Sequence, residues 1–229
     1  MKLSVNNQRK IAFVNTNVIT MTSSSHLSNQ TVLIENGIIN YIGNNSASKL
    51  EDYHVIDGTG KYLLPSLIDM HVHLGDNEDD LLLFLVNGVT TIRNMWGYGN
   101  FRLRNWLFGT RVFNHLDLRN KINDGKILGP IIYTAGPMNE GMPPFFPKFM
   151  VNVLASAKAA EEMVINHVKE GYDLIKFYST ISEEIFNTII HSAKKYGIAV
   201  AGHVPDKTGL EKVINSQVTS VEHLLGFFN

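Results

Sequence analysis

A chain of 229 residues with 44% hydrophobic and 18% charged residues has the composition of an ordinary globular protein and can bury a sizeable core. Its net charge of −1 argues against a nucleic-acid groove or an anionic membrane as partner, since both need clustered positive charge. Cys is absent, so disulfides and thiolate metal sites are excluded, and any metal must sit on His, carboxylate or modified Lys.

Nothing in the chain approaches 18 consecutive apolar residues, so no membrane span is expected, and the polar Asn15 and Asn17 interrupt the start. A cytoplasmic location is the default expectation. Residues 1–64 read as short strands, IAFVNTNVITM, TVLIENGIINYIG and HVIDGTGKYLL, rich in Ile, Val, Thr and Tyr. Asn36-Gly37 between two of them is a hairpin signal, and Asp57-Gly58-Thr59-Gly60 is a turn cluster. These residues predict a small β-sheet or half-sandwich.

From Pro65 to Asn229 the pattern changes to alternating strands and helices. Asn77 is placed to cap EDDLLLFLVN, and Ser182 to cap EEIFNTIIHSAKKY, whose Ile185, Phe186, Ile189, Ile190 and Ala193 share one face. Helical runs stop at Gly88, Gly171 and Gly197, each followed at once by a strand. Strands are predicted near 66–73, 88–95, 129–137, 172–178, 198–204 and 218–224. Strand–helix–strand units in series imply parallel pairing. A doubly wound sheet would want a glycine-rich phosphate loop after its first strand, and MHVHLGDNED is not one.

In a parallel (β/α) barrel the catalytic groups come from the carboxyl ends of strands. The predicted ends carry His71 and His73, then Lys176, His203 and His223. His71 and His73 are two apart and so face the same way. Four imidazoles and one amine, each at a strand end, predict a metal site, with Lys176, His203 and His223 also expected to take part in catalysis. Arg93, Asn94 and Tyr178 are placed to contact a substrate carboxylate. His26, His54, His115, His167 and His191 read as structural or surface residues, and Glu222, next to a ligand, is expected to face away from it.

These residues resemble the amidohydrolase superfamily of metal-dependent hydrolases. PSLIDMHVH is similar to its first barrel strand, GYDLIKFY to its fourth, and AGHVP and SVEHLLG to its fifth and sixth. TTIRNM and LGPIIYTAGPMNEGMPPFFP resemble the imidazolonepropionase-like and Xaa-Pro dipeptidase-like group. The resemblance implies an incomplete (β/α)8 TIM-type barrel of about six strands over 65–229, with 1–64 the N-terminal part of a β-sandwich. It implies one or two divalent ions, zinc first and Mn, Fe or Co as alternatives. His71 and His73 would hold one and His203 and His223 the other, with Lys176 between them as a carbamate formed from CO2.

The family's barrel has eight strands and an aspartate at the end of the eighth. Residues 65–229 fall short of the ~250 typical of such a barrel, so the resemblance implies a truncated form lacking its last two strands and that aspartate. The implied function is hydrolysis of carbon–nitrogen bonds in an amide, cyclic amide or dipeptide. The alternatives are a non-catalytic fragment that keeps the ligands, and an amino-heterocycle deaminase. The expected partner is a small-molecule substrate, and unpaired barrel edges predict self-association.

Overall fold

The computed structural model describes residues 10–44, 50–75, 78–97, 114–148, 150–224 and 226–227. The chain divides into two compact units, Met1–Leu67 and Ile68–Asn229.

The first unit holds one five-stranded sheet of β1 (Lys10–Val18), β2 (Leu27–Glu35), β3 (Ile38–Asn44), β4 (His54–Asp57) and β5 (Tyr62–Leu63). Its order is β3-β2-β1-β4, with β5 also pairing β1. The β1–β2 and β2–β3 pairs are antiparallel; β4 and β5 run parallel to β1. The β2–β3 hairpin turns at Asn36 and Gly37, φ 52° and 77°, the positive pair that a tight two-residue hairpin requires. Among the described residues this unit is a single sheet, not two packed layers.

The second unit alternates strand and helix: β6 (Leu67–Val72), α1 (Asp80–Val86), β7 (Val89–Asn94), α2 (His115–Asn123), β8 (Ile131–Thr134), β9 (Asn139–Glu140), β10 (Asn152–Val153), α3 (Ala157–Glu170), β11 (Leu174–Phe177), α4 (Glu183–Tyr196), β12 (Ala199–Gly202), α5 (Leu210–Asn215) and β13 (Ser220–Val221). Strands form where the sequence predicts them, while the two-residue β9 and β10 lie in a Pro- and Gly-rich segment with no strand signal. Two sheets result, β6-β7-β8 and β10-β9-β11-β12-β13. The pairings β7/β8, β11/β12 and β12/β13 are parallel. A parallel bridge from Ala135 to Leu174 and the hydrogen bond from Asp173 N to Thr134 O join the sheets.

Local chemistry sets the helix ends. Ser156 Oγ accepts from Ala159 N and Ser182 Oγ from Ile185 N, and Gly171 and Gly197 close α3 and α4 at φ 85° and 71°. The expected cap Asn77 lies outside the described residues; α1 begins after Asp79, whose side chain makes no capping bond.

Strand alternation then sorts the core. Ile175 and Phe177 of β11 and Val200 of β12 pack beneath α3 and α4 against Met163, Val164, Ile185, Phe186 and Ile189. Val72, Ile92 and Ile132 do the same with Leu81 and Leu118 of α1 and α2. Residues an odd number of positions away along the same strands, Met95, Ala135, Leu174 and Ala201, gather on the opposite face. That face also carries the site.

Candidate metal and active site

Each polar side chain reaches the site because its neighbour in sequence is anchored in the helix-side core. Val72 is buried with Ile92 and Ile132, so His71 and His73 point the other way, their rings stacked at 5.3 Å. Ile175 and Phe177 are buried on the helix side, so Lys176 faces inward, fully buried, its Nζ 5.2 Å from the Tyr178 ring. His203 follows β12 two residues after the inward Ala201, its ring 4.4 Å from Tyr178. At Gly202 the strands approach so closely that a Cβ would lie 2.5 Å from Phe177 O, which only glycine permits.

His223 arrives by a different route. Val221 packs into the helix-side core, so alternation sends Ser220 and Glu222 to the site face and would send His223 away. Instead His223 and Leu224 adopt φ 63° and 54°, a left-handed turn rare outside glycine. The turn ends the strand and returns the His223 ring to 4.4 Å from His71 and 5.2 Å from His203. Glu222 therefore does not face away, contrary to the sequence expectation. Its Oε2 lies 2.5 Å from His71 Nδ1, and its Oε1 accepts from Arg93 Nη2 at 2.7 Å and Ser220 Oγ at 2.6 Å.

Arg93 and Asn94, expected against a substrate carboxylate, are committed to protein groups. Arg93 donates to Met70 O at 2.7 Å and Ser220 Oγ at 2.8 Å as well as to Glu222. Asn94 is fully buried; its Oδ1 accepts from Leu74 N at 3.1 Å, and its Nδ2 donates to Trp96 O and Thr134 Oγ1 at 3.0 Å and meets His115 Nδ1. It ties the segment after His73 to β7 and β8. Tyr178 stands within the site, its ring against His203 and edge-on to Phe146. The Arg93–Glu222 pair escaped the sequence reading, although the period of two through Ser220, Val221 and Glu222 carries the signal for it.

Three of the remaining histidines take packing roles. His167 is buried against Tyr172, His115 meets Asn94, and His26 meets Tyr62 edge-on. A cavity of about 410 Å³ lined by Asp69, Leu74, Leu83, Phe84 and Val89 takes in His73 but none of the other four predicted ligands.

The electrostatics favour neutral imidazoles. Burial, reinforced by the positive charge of Lys176, pushes His203 down to about 4. Burial also lowers His73 and His223, with His71 and Lys176 adding to both. Lys176 is pushed down to about 8 by burial, with Arg93 adding to the fall and Glu222 opposing it. Burial alone would raise Glu222, but hydrogen bonds from Ser220 and His71 and the charge of Arg93 outweigh it and hold the carboxyl below its ordinary value. Tyr178 is pushed up to about 12 by burial and the nearby charge of Glu140, so it keeps its proton at neutral pH.

The donor set fits a divalent ion in kind. Nε2 of His71, Nε2 of His203 and Nζ of Lys176 are buried with no hydrogen-bond partner among the described residues, and neutral imidazole is the ligating form. Among the described residues, however, no three His, Asp or Glu side chains are grouped as they would be round one ion. The rings lie against one another, His71 at 5.3 Å from His73 and 4.4 Å from His223, and His223 at 5.2 Å from His203. The donor chemistry is the weightier observation, because a ring turns between staggered rotamers at small cost while a buried lone pair without a partner is unfavourable wherever it points.

Fold and site together define an α/β protein whose parallel strands deliver imidazoles and an amine to one place. No protein-family profile matches the chain. It is 49% identical over 45 residues to a dihydroorotase from Trichlorobacter lovleyi, covering 20% of this chain and 10% of that one. It is 33% identical over 100 residues to a D-phenylhydantoinase from Escherichia coli, covering 38% of this chain and 22% of that one. A crystal structure described as that of a prolidase from Bifidobacterium longum superposes with a TM-score of 0.71 and 25% identity, over 86% of this chain and 49% of that one. The chain thus spans about half the length of that structure. These likenesses support a place for it in the amidohydrolase superfamily.

Proposed function

We propose that this chain carries the metal site of a hydrolase of carbon–nitrogen bonds, acting on an amide, cyclic amide or dipeptide, on part of a (β/α) barrel. One observation supports this above the rest: side chains from four separate strand ends lie near one another, and the nitrogens His71 Nε2, His203 Nε2 and Lys176 Nζ are buried without hydrogen-bond partners among the described residues. His71 and His73 would hold one divalent ion and His203 and His223 a second, zinc first, with manganese, iron or cobalt as alternatives. A bound ion of this kind lowers the pKa of coordinated water to ~7 and polarises a carbonyl.

The chain's own residues prepare for this. Burial keeps the His203, His73 and His223 imidazoles unprotonated at neutral pH. A lysine near 8 reaches its free-amine form more readily than an ordinary one. That amine adds to the carbon of CO2 and loses a proton, so Lys176 becomes a carbamate with oxygen donors where a bare ammonium would repel cations. Tyr178, protonated and beside His203, is placed to donate a hydrogen bond to a substrate oxygen. Arg93 and Asn94 support the site from behind.

Titration of the 229-residue chain with Co²⁺ should produce visible d–d bands at one to two ions per chain, weakened by His71→Ala and His203→Ala. Activity is then read as amine release from dipeptides, ring opening of cyclic amides and ammonia release from amino-heterocycles. The last would replace hydrolysis with deamination. Metal binding without turnover would favour the non-catalytic alternative, and no binding of any divalent ion would overturn the proposal.

A further inference from the structure

Three strands converge on one hydrogen-bond chain that the superfamily assignment does not require. Met70 O and His71 come from β6, Arg93 from β7, and Ser220 and Glu222 from the end of β13. Arg93 presents Nε to Met70 O at 2.7 Å, Nη1 to Ser220 Oγ at 2.8 Å and Nη2 to Glu222 Oε1 at 2.7 Å. Ser220 Oγ donates to the same Oε1 at 2.6 Å. The other carboxylate oxygen, Oε2, faces His71 Nδ1 at 2.5 Å. The Arg93 and Glu222 side chains are only 10% and 7% exposed.

Two donors on Oε1, one of them a guanidinium, fix Glu222 as a carboxylate, and a carboxylate only accepts. The His71 ring must therefore carry its proton on Nδ1. In the neutral form of the ring, the form that ligates a metal, that is its one N–H, and the lone pair lies on Nε2, which is buried and has no hydrogen-bond partner among the described residues. Arg93 has no freedom to do otherwise, because its guanidinium is spread across three acceptors.

We infer that Glu222, clamped by Arg93 and Ser220, is a positioning residue that holds His71 in its Nδ1–H tautomer with Nε2 bare, and that this clamp sets how tightly the site takes a divalent ion. The second half rests on the metal reading proposed above; the first half does not.

The test uses the full chain and two variants. In Glu222→Gln the amide must keep its carbonyl towards Arg93 and Ser220, which are both donors, so its NH2 turns to His71. Nδ1 then becomes an acceptor and the ring is forced into the Nε2–H form, with little change in shape. In the double variant Glu222→Gln/Arg93→Met that constraint is gone, the carbonyl can face His71, and the Nδ1–H form returns.

Long-range ¹⁵N–¹H spectra of the imidazoles, with His71 assigned by its loss in His71→Gln, report the tautomer without metal. Competition with a chromogenic chelator reports Zn²⁺ affinity. The wild type should show Nδ1–H. E222Q should show Nε2–H and bind Zn²⁺ 10–100-fold more weakly, the usual loss for such an outer-shell carboxylate. The double variant should recover Nδ1–H and most of the affinity.

A purely structural role would shift stability and leave both readouts alone. Nδ1–H retained in E222Q, or Nε2–H in the wild type, overturns the inference. An E222Q tautomer switch with Zn²⁺ affinity unchanged within twofold overturns its second half only. A wild type that binds no Zn²⁺ defeats the metal reading, and the tautomer data still decide the first half.

Discussion

Lowering the pH from 7 to 5 should destabilise the second unit, and His167 should account for a measurable share. The ring is 3% exposed, its Nδ1 has no hydrogen-bond partner among the described residues, and it packs against Tyr172 and the backbone at Gly136. Burial pushes the imidazole from 6.5 down to about 4. The unfolded chain accepts a proton below pH 6.5 while the folded chain refuses it until about 4, so unfolding takes up a proton in that window. Stability is fully present above 6.5 and falls as the pH drops towards 4. For these two values the linkage relation gives a loss of about 2 kcal/mol between pH 7 and 5 from this one group. Urea denaturation followed by tryptophan fluorescence suits the test, because the chain's two tryptophans, Trp96 and Trp106, both come after residue 68 in the sequence and Trp96 is in the second unit. His167→Phe keeps a planar ring and removes the titration. Its loss between pH 7 and 5 should be about 2 kcal/mol smaller than that of the wild type. Equal losses in the two proteins would refute the reasoning.

Glu222→Ala should cost about 3–5 kcal/mol, because it strands the Arg93 guanidinium in a buried position; chemical denaturation at pH 7 measures it, and a cost below about 1 kcal/mol would contradict the pairing. Lys176→Met removes a fully buried amine that burial holds near 8. In carbonate-free buffer at pH 7 it should stabilise the chain by roughly 2–3 kcal/mol, a gain that shrinks as pH rises from 8 towards 10.5, and the bound Co²⁺ signal should be lost. Phe186→Ala opens a hole where Phe186 meets Phe177 edge-on at 5.5 Å and should cost about 3–5 kcal/mol, read as a fall in the denaturation midpoint. Ile68 and Met70 of β6, at the end of its sheet, are more than half exposed, and light scattering at rising concentration should show self-association that Met70→Lys reduces.

Much of this was legible along the chain. Glycine after Glu170 and after Tyr196 stops a helix because a left-handed residue without a Cβ costs little there, and β11 and β12 follow directly. The apolar face of α4 repeats every three to four residues, so Ile185, Phe186 and Ile189 are identifiable as core before any fold is drawn. The inward turn of Lys176 follows from Ile175 and Phe177 on either side. Such patterns are local, and local sterics and burial are what a sequence records directly.

Tertiary structure decided what those patterns could not carry. His71 and Glu222 stand 151 positions apart, and Arg93 and Glu222 129, so no periodicity links them; they meet only because parallel strands set their ends side by side. Strand alternation by itself sends Glu222 and His223 to opposite faces. The left-handed turn at His223 and Leu224 brings both to one site, and nothing in either side chain announces that turn. Residue type and spacing determined which nitrogens the chain offers at its strand ends. Backbone conformation and long-range pairing determined which way each one points, because a hydrogen bond depends on the positions of two groups and the sequence lists them one at a time.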